Sequence, residues 1–290
     1  MASAKPLARP KGQGRRSTWS RFVRSGSGMT GLLLILSITV GALFANYFAS
    51  HDPLAFSPPT RLQGPSAEHW LGTDQFGRDT FSRILYGGRT SLAVAGLSVL
   101  FAGSLGTLLG MLAGYYRGWL ELVIMRLTDI LLAFPAILLA IALLAFFGGG
   151  FTNLVLAISI IYTGPFVRVA RAAVLSVREE LFVEANRALG AQDWRVLLLA
   201  VLPNAAAPLL IELSLRLAYA ILAEAALSFL GLGTQPPAPS WGQMIADNRR
   251  FMALSAWASL APGFAIMLAV LGFNLLGDGL RDVLDPRLRR

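Results

Sequence analysis

Apolar stretches long enough to cross a bilayer alternate with short polar segments along nearly the whole chain. Met29 to Phe48 runs without a charge and predicts a first span over 29–48. A cleaved signal peptide is the competing reading. The apolar run is longer than a usual signal core and lacks a small-x-small cleavage site, so the segment is expected to stay as an anchor. A second span covers 90–116, where Gly106, Gly110 and Gly114 stand at four-residue intervals and predict close helix packing in lipid. Ile130 to Val167 is uncharged but too long for one crossing. Gly148-Gly149-Gly150 divides it into spans at 130–147 and 151–167, an apolar hairpin. Spans at 205–230 and 251–277 complete six, all within a core of 90–277 after the first anchor. Pro135 and Pro165 are tolerable inside membrane helices, where neighbours can satisfy freed carbonyls.

The polar segments between the spans are more varied. Residues 1–28 hold seven basic residues and no acid, with Pro6, Pro10 and several glycines, and read as a disordered basic tail. Residues 49–89 form a proline-rich loop, with an interfacial helix expected from Thr80 to Tyr86. His51 and His69 fall in that loop, where isolated exposed histidines read as surface residues. Arg117, Glu121, Arg126 and Asp129 mark a short polar turn. The segment 233–250, with Pro236, Pro237 and Pro239, cannot be helical throughout.

Residues 171–204 are amphipathic rather than apolar. Ala170, Val174, Val177, Leu181, Ala185 and Ala188 recur at three- and four-residue spacing and predict one helix leaving the preceding span. Gly190 breaks the period. Asp193 then caps or begins a second short helix whose Trp194, Leu197, Leu198 and Val201 share a face, with Pro203 placed to end it. By periodicity alone, a hairpin lying passively on the membrane surface fits equally well.

Composition settles the class. The 290 residues are 55% hydrophobic and 14% charged, with mean hydropathy +0.60, outside the range of a soluble domain. The chain is therefore expected to be an all-α integral membrane protein. Zero cysteines exclude disulfides and thiolate metal sites. The only lysines, Lys5 and Lys11, do not follow glycines, so no P-loop is present and ATP cannot be bound that way. With the N-terminus inside, the inner segments carry 18 basic residues and the outer ones 6. That asymmetry predicts cytoplasmic termini and a cytoplasmic 171–204 segment, and it accounts for the net charge of +9 without nucleic acid.

Four motifs carry a resemblance. Glu184-Ala185, Gly190 five residues on and Leu202-Pro203 twelve beyond it are similar to the Glu-Ala-Ala loop of permeases in ATP-binding-cassette importers. Asn186 and Ala200 depart from that pattern. Leu71-Gly-Thr-Asp-Gln-Phe-Gly-Arg-Asp79, then Ser82-Arg83 and Tyr86-Gly87, resembles the signature of the second (C-type) permease of dipeptide, oligopeptide and nickel importers. Glu224 to Gly233 and Asn274 to Arg287 resemble later parts of that family. The resemblance implies a type I importer permease in a bacterial or archaeal inner membrane. Its helix-turn-helix loop would be a coupling element, with Glu184, Ala185, Gly190, Asp193, Trp194, Leu202 and Pro203 at the contact with the ATPase. It also implies two ATPase subunits carrying ATP and Mg, a second homologous permease in a heterodimer, an extracytoplasmic binding protein, and no cofactor, metal site or catalytic residue in this chain. The expected cargo is di- or oligopeptides, or nickel or another small solute of the same family.

Charges inside the fifth span mark the remaining candidates for translocation or gating, Glu212, Arg216 and Glu224. Arg216 near mid-span needs an interior partner, and Glu212, one turn away, is suited to neutralise it. An ATP-independent channel or secondary transporter would need more ionisable groups along its path. A membrane hydrolase would need a nucleophile with a base or a histidine-rich metal site, neither of which the sequence clearly offers.

Overall fold

The structure, a computed structural model, describes residues 18–284, with side chains from Arg21 onward; the basic tail over 1–17 and the last six residues lie outside the described residues. All regular elements among the described residues are helices. A short α1, Thr18–Arg24, leads through the cap Ser25, whose Oγ accepts from the Gly28 amide, into α2, Gly26–Leu43, and α3, Ala45–Phe48. Helix therefore begins inside the stretch expected to be tail.

The interfacial helix and second span are one element, α4, Thr80–Tyr116. Gly87 and Gly88 do not interrupt it, because each lies against Ser240 or Trp241 and helps to seat a buried indole on the helix. At about 1.5 Å per residue, 37 residues reach roughly 55 Å, well beyond a hydrocarbon layer of about 30 Å. Along the bilayer normal, α4 is thus too long to lie wholly within the hydrocarbon.

The expected polar turn at 117–129 is instead helix α5, Gly118–Ala133, set at 90° to α6, Ala136–Phe147. Pro135 produces the break: the residue before a proline is driven out of the helical region, and Phe134 sits at φ −92°, ψ 140°. The expected tolerance of Pro135 within a span is thus corrected. The two acids of α5 point to α7, Phe151–Arg178, where Arg171 pairs with Glu121, and Arg168 reaches Asp129 at 2.8 Å. Gly148 and Gly150, at φ +88° and +120°, make the turn between α6 and α7.

Helices α4 and α7 pack through the predicted glycine face. A Cβ on Gly106 would stand 2.5 Å from Phe166 Cβ, and one on Gly110 would stand 2.6 Å from Ala170 Cβ. In lipid, close packing rather than escape from water drives such contacts. Around them lies a core including Val94, Leu144, Leu154, Ile158, Phe166 and Ile221.

Two short helices, α8 (Leu181–Ala188) and α9 (Asp193–Arg195), lead into α10, Leu202–Phe229. Helix α11, Trp241–Asn248, capped by Ser240, lies at the other end of α4. Trp241 Nε1 donates to the Ile84 carbonyl at 2.9 Å and its amide to Ser91 Oγ at 3.2 Å. Burial pushes the Asp247 carboxyl of α11 up from its ordinary value, against the opposing pull of Arg83 and Arg78.

The last helix, α12, spans Trp257–Leu284, so the segment expected as tail from 278 is helical through 284. The span expected to end at Gly277 continues past it, because Gly277 and Gly279 serve as contact points. Gly279 meets Gly28 backbone to backbone and Gly277 meets Ser214 Oγ, which joins α12 to α2 and α10. Five helical runs are long and apolar enough to cross a membrane among the described residues, or six if the bent α5–α6 pair is one broken span rather than a re-entrant loop.

Candidate functional site

The segment joining α7 to α10 is a bridge of two short helices around a glycine turn. The predicted single amphipathic helix breaks at Glu179-Glu180, where Glu180 is extended at φ −75°, ψ 142°. The break splits its apolar face. Ala170 and Val174 are buried on α7, whereas Leu181 is 80% exposed and Ala185 and Ala188 are also exposed on α8. Val183, absent from the predicted face, is the buried residue of α8 and packs in a cluster with Met111, Tyr115, Val174, Val196 and Val201.

Gly190 turns the chain at φ +79° with open space around it, so a side chain there would meet conformational strain but no neighbour. The amide of Ala191 closes the turn on the Asn186 carbonyl at 3.1 Å. Gln192 occupies the N-cap position and Asp193 the first residue of α9. The second short helix does not stop at Pro203. A π-helical stretch, Val196–Val201, carries it into α10, with Pro203 in the first turn. There a missing amide costs little, and the wide turn before it accommodates the ring. The expected common face divides as well: Leu197 and Val201 are buried, while Trp194 and Leu198 are 55% and 50% exposed.

Tyr115 at the end of α4 binds both short helices. Its hydroxyl donates to Asp193 Oδ1 at 2.7 Å and receives Arg187 Nε at 3.2 Å, with the guanidinium carbon 4.6 Å from the ring centre. Sequence reading missed Tyr115 as the partner of Asp193 and of Arg187, because 78 residues separate the tyrosine from the aspartate. The bridge thus sits firmly on the bundle by one side. Its other side presents Leu181, Phe182, Glu184, Leu189, Trp194 and Leu199. Between the two short helices opens a groove of about 330 Å³ lined by Phe182, Asn186, Arg195, Leu199 and Ala200. Both residues that depart from the family pattern, Asn186 and Ala200, therefore line this groove. Leu202 is half-buried and Pro203 exposed at the start of α10.

Farther along α10, Arg216 Nε donates to Glu212 Oε1 at 2.6 Å, and the guanidinium lies 5.5 and 5.6 Å from the ring centres of Tyr162 and Tyr219. The charge is thus met by a carboxylate and two aromatic faces. Glu224, two turns on, is fully buried. Its Oε1 accepts from Ser228 Oγ at 2.7 Å, with the hydroxyls of Ser91 and Ser240 alongside. An apolar groove of about 430 Å³ between α4 and α10 is lined by Leu100, Thr107, Met111, Phe166, Leu209 and Leu213.

The opposite end carries a folded cap. His69, expected on the surface, is 5% exposed and joined to buried Asp79. Asp74 accepts from Arg78 Nε at 2.7 Å and from the amides of Phe76 and Arg78 at 2.8 and 3.0 Å, which closes the Gly-Thr-Asp-Gln-Phe-Gly-Arg-Asp segment on itself.

Comparison with known proteins agrees with this architecture. Residues 106–290 match the binding-protein-dependent transport system inner membrane component family, and residues 15–65 match the N-terminal TM domain of oligopeptide transport permease C. The dipeptide transport system permease protein DppC of Alkalihalophilus pseudofirmus is 47% identical over 94% of this chain and 90% of its own length. The glutathione transport system permease protein GsiD of Pectobacterium atrosepticum is 44% identical over 94% of this chain and 91% of its own. A chain of the inward-facing MetNI methionine ABC transporter superposes with TM-score 0.58 at 20% identity, covering 69% of this chain and 96% of that one. The helical bundle has the type I importer fold, and the chain belongs to the binding-protein-dependent transport system inner membrane component family as a permease subunit of an ATP-binding-cassette importer.

Proposed function

We propose that this permease moves di- or oligopeptides, or closely related small solutes, and that the α8–α9 bridge receives the force of ATP hydrolysis from separate subunits. The cargo reading is supported by the dipeptide and glutathione permeases among its relatives. The coupling reading is carried by one observation: a bridge anchored on its inner side by Tyr115 and Val183 leaves Leu181, Leu189 and Trp194 uncovered on its outer side. Apolar groups in that number on a charged, water-facing segment suit a protein partner. The chain has no P-loop, so the energy must enter through such a contact.

In this reading Glu184, Ala185, Gly190, Asp193, Trp194, Leu202 and Pro203 form or shape the contact with an ATPase subunit, which holds ATP and Mg. Closure of two such ATPases moves the bridge, and α4 and α10 carry the displacement into the bundle. A second, homologous permease completes the pathway against the α4–α10 groove, and an extracytoplasmic binding protein delivers cargo at the α11 end. Both termini and the bridge face the cytoplasm in this reading, which the 18-to-6 distribution of basic residues supports. Each state of the permease must bind the ATPases and binding protein with different strength, since equal affinity would shift no equilibrium.

The test is to reconstitute the complex with Gly190→Val, which forces a branched side chain into a left-handed backbone site. Membrane insertion and the helical content of the purified chain should be unchanged. ATPase activity should no longer rise when loaded binding protein is added. Stimulation equal to wild type would remove the coupling role from this turn.

A further inference from the structure

The cap at the α11 end contains one cluster of metal-ligating side chains among the described residues. His51, His69 and Asp79 each offer a ligand atom, and the three atoms lie within 4.8 Å of one another. His69 Nδ1 is 3.0 Å from Asp79 Oδ1, His51 Nδ1 is 4.0 Å from the same oxygen, and the two imidazole centres are 4.7 Å apart. Ligand atoms at about 2.0–2.1 Å around a tetrahedral ion stand roughly 3.3 Å apart. The buried pair is already near that separation, and the partly exposed His51 has only to close on it.

The surrounding bonds hold these groups in place. Asp79 caps α4, its Oδ2 accepting from the Ser82 amide at 2.7 Å, which leaves Oδ1 toward the histidines. Ser82 Oγ accepts from the His51 amide at 3.1 Å, so one serine orients two of the three groups. The His69 amide donates to Ser66 Oγ at 3.0 Å, and its carbonyl accepts from Ser66 and Gly72. Such outer bonds fix the orientation of metal ligands. The Asp79 side chain has no exposure, and its negative charge is met by a helix N-terminus and an imidazole rather than by a cation at bonding distance. His51 also lines an open cavity of about 810 Å³, through which water can reach a fourth position. A cap bond between His69 and Asp79 explains that pair; His51 Nδ1 lies 3.0 Å from Ser50 Oγ, a partner it would exchange for the ion.

We propose that His51, His69 and Asp79 bind one divalent transition-metal ion of the zinc type. Two imidazoles and one carboxylate suit such ions, whereas calcium and magnesium require a shell of oxygens. The ion would tie the chain leaving α3 and the loop before Trp70 to the first turn of α4. It is a structural ion of the cap, separate from any cargo, and its binding does not depend on which side of the membrane the cap faces.

The test uses the full chain, purified in detergent with a histidine-free tag, stripped by chelator and dialysed against Zn²⁺ at defined free concentrations. Wild type should retain one ion more per chain than His51→Ala, whose affinity should fall by at least about tenfold. Zn²⁺, but not Mg²⁺, should raise the melting temperature of wild type and leave that of His51→Ala unmoved. Zinc-edge absorption of the wild-type sample should show imidazole in a nitrogen and oxygen shell. Equal metal content in wild type and His51→Ala, or a spectrum without imidazole, would reduce the cluster to a helix cap. If His51→Ala proves unstable without metal, His51→Gln, which keeps bulk and polarity, takes its place with the same expected loss.

Discussion

The Tyr115 hydroxyl lies 2.7 Å from the Asp193 carboxylate and holds the start of α9 to the end of α4. Arg187 approaches the same hydroxyl from α8, so a single phenol fixes both arms of the bridge to the helix that runs the height of the bundle. In the proposed coupling, a push on the bridge would reach α4 directly, without crossing the turn at Gly190.

Tyr115→Phe removes this join and keeps the packed ring. A single hydrogen bond of this kind contributes about 1 kcal/mol, so the fold should survive with little change in melting temperature. Stimulation of ATPase activity by loaded binding protein should fall several-fold, measured on the reconstituted complex. A variant that melts earlier yet couples normally would show that the phenol serves stability alone.

The Glu212–Arg216 pair predicts a compensation experiment. Arg216→Leu strands a carboxylate in α10 and should cost about 1–2 kcal/mol, allowing for the part of the pair that stays exposed. The amount of folded protein in membranes should drop. Adding Glu212→Leu should restore much of it. Single and double variants that are equally abundant and equally inactive in transport would instead assign the pair to the pathway.

Orientation is open to labelling because the chain has no cysteine. Cysteines introduced at Ala67 and Ala188, both exposed, lie at the α11 end and on α8. In intact cells an impermeant thiol reagent should modify the first and spare the second. The reverse pattern would invert the proposed topology.

Much of the bundle was legible because lipid imposes simple rules: uncharged runs of sufficient length and glycines at four-residue spacing. What was illegible depends on contacts distant in the chain. The sixth span was bounded at 277 because the contacts of Gly277 with Ser214 and of Gly279 with Gly28 join distant parts of the chain. Pro135 looked tolerable because Pro165, inside the intact α7, truly is; no sequence signal separated the two. His69 was read as exposed because Asp79, ten residues on, was not known to turn back toward it. On the bridge, the three- and four-residue period ran on past Glu180, although the backbone there is extended and the apolar face changes from buried to open. The apolar face that the period predicts is therefore buried on α7 and uncovered on α8.

The open face of the bridge is proposed to meet an ATPase. A photo-activated cross-linking residue in place of Leu189, which is 87% exposed beside the Gly190 turn, tests it most directly in the assembled complex. The account predicts cross-links to the ATPase subunit whose yield changes between nucleotide-free and ATP-bound states, while the same residue in place of Trp70 at the opposite end gives none to the ATPase. Cross-links from Leu189 to lipid or to the binding protein alone, in either nucleotide state, would contradict it.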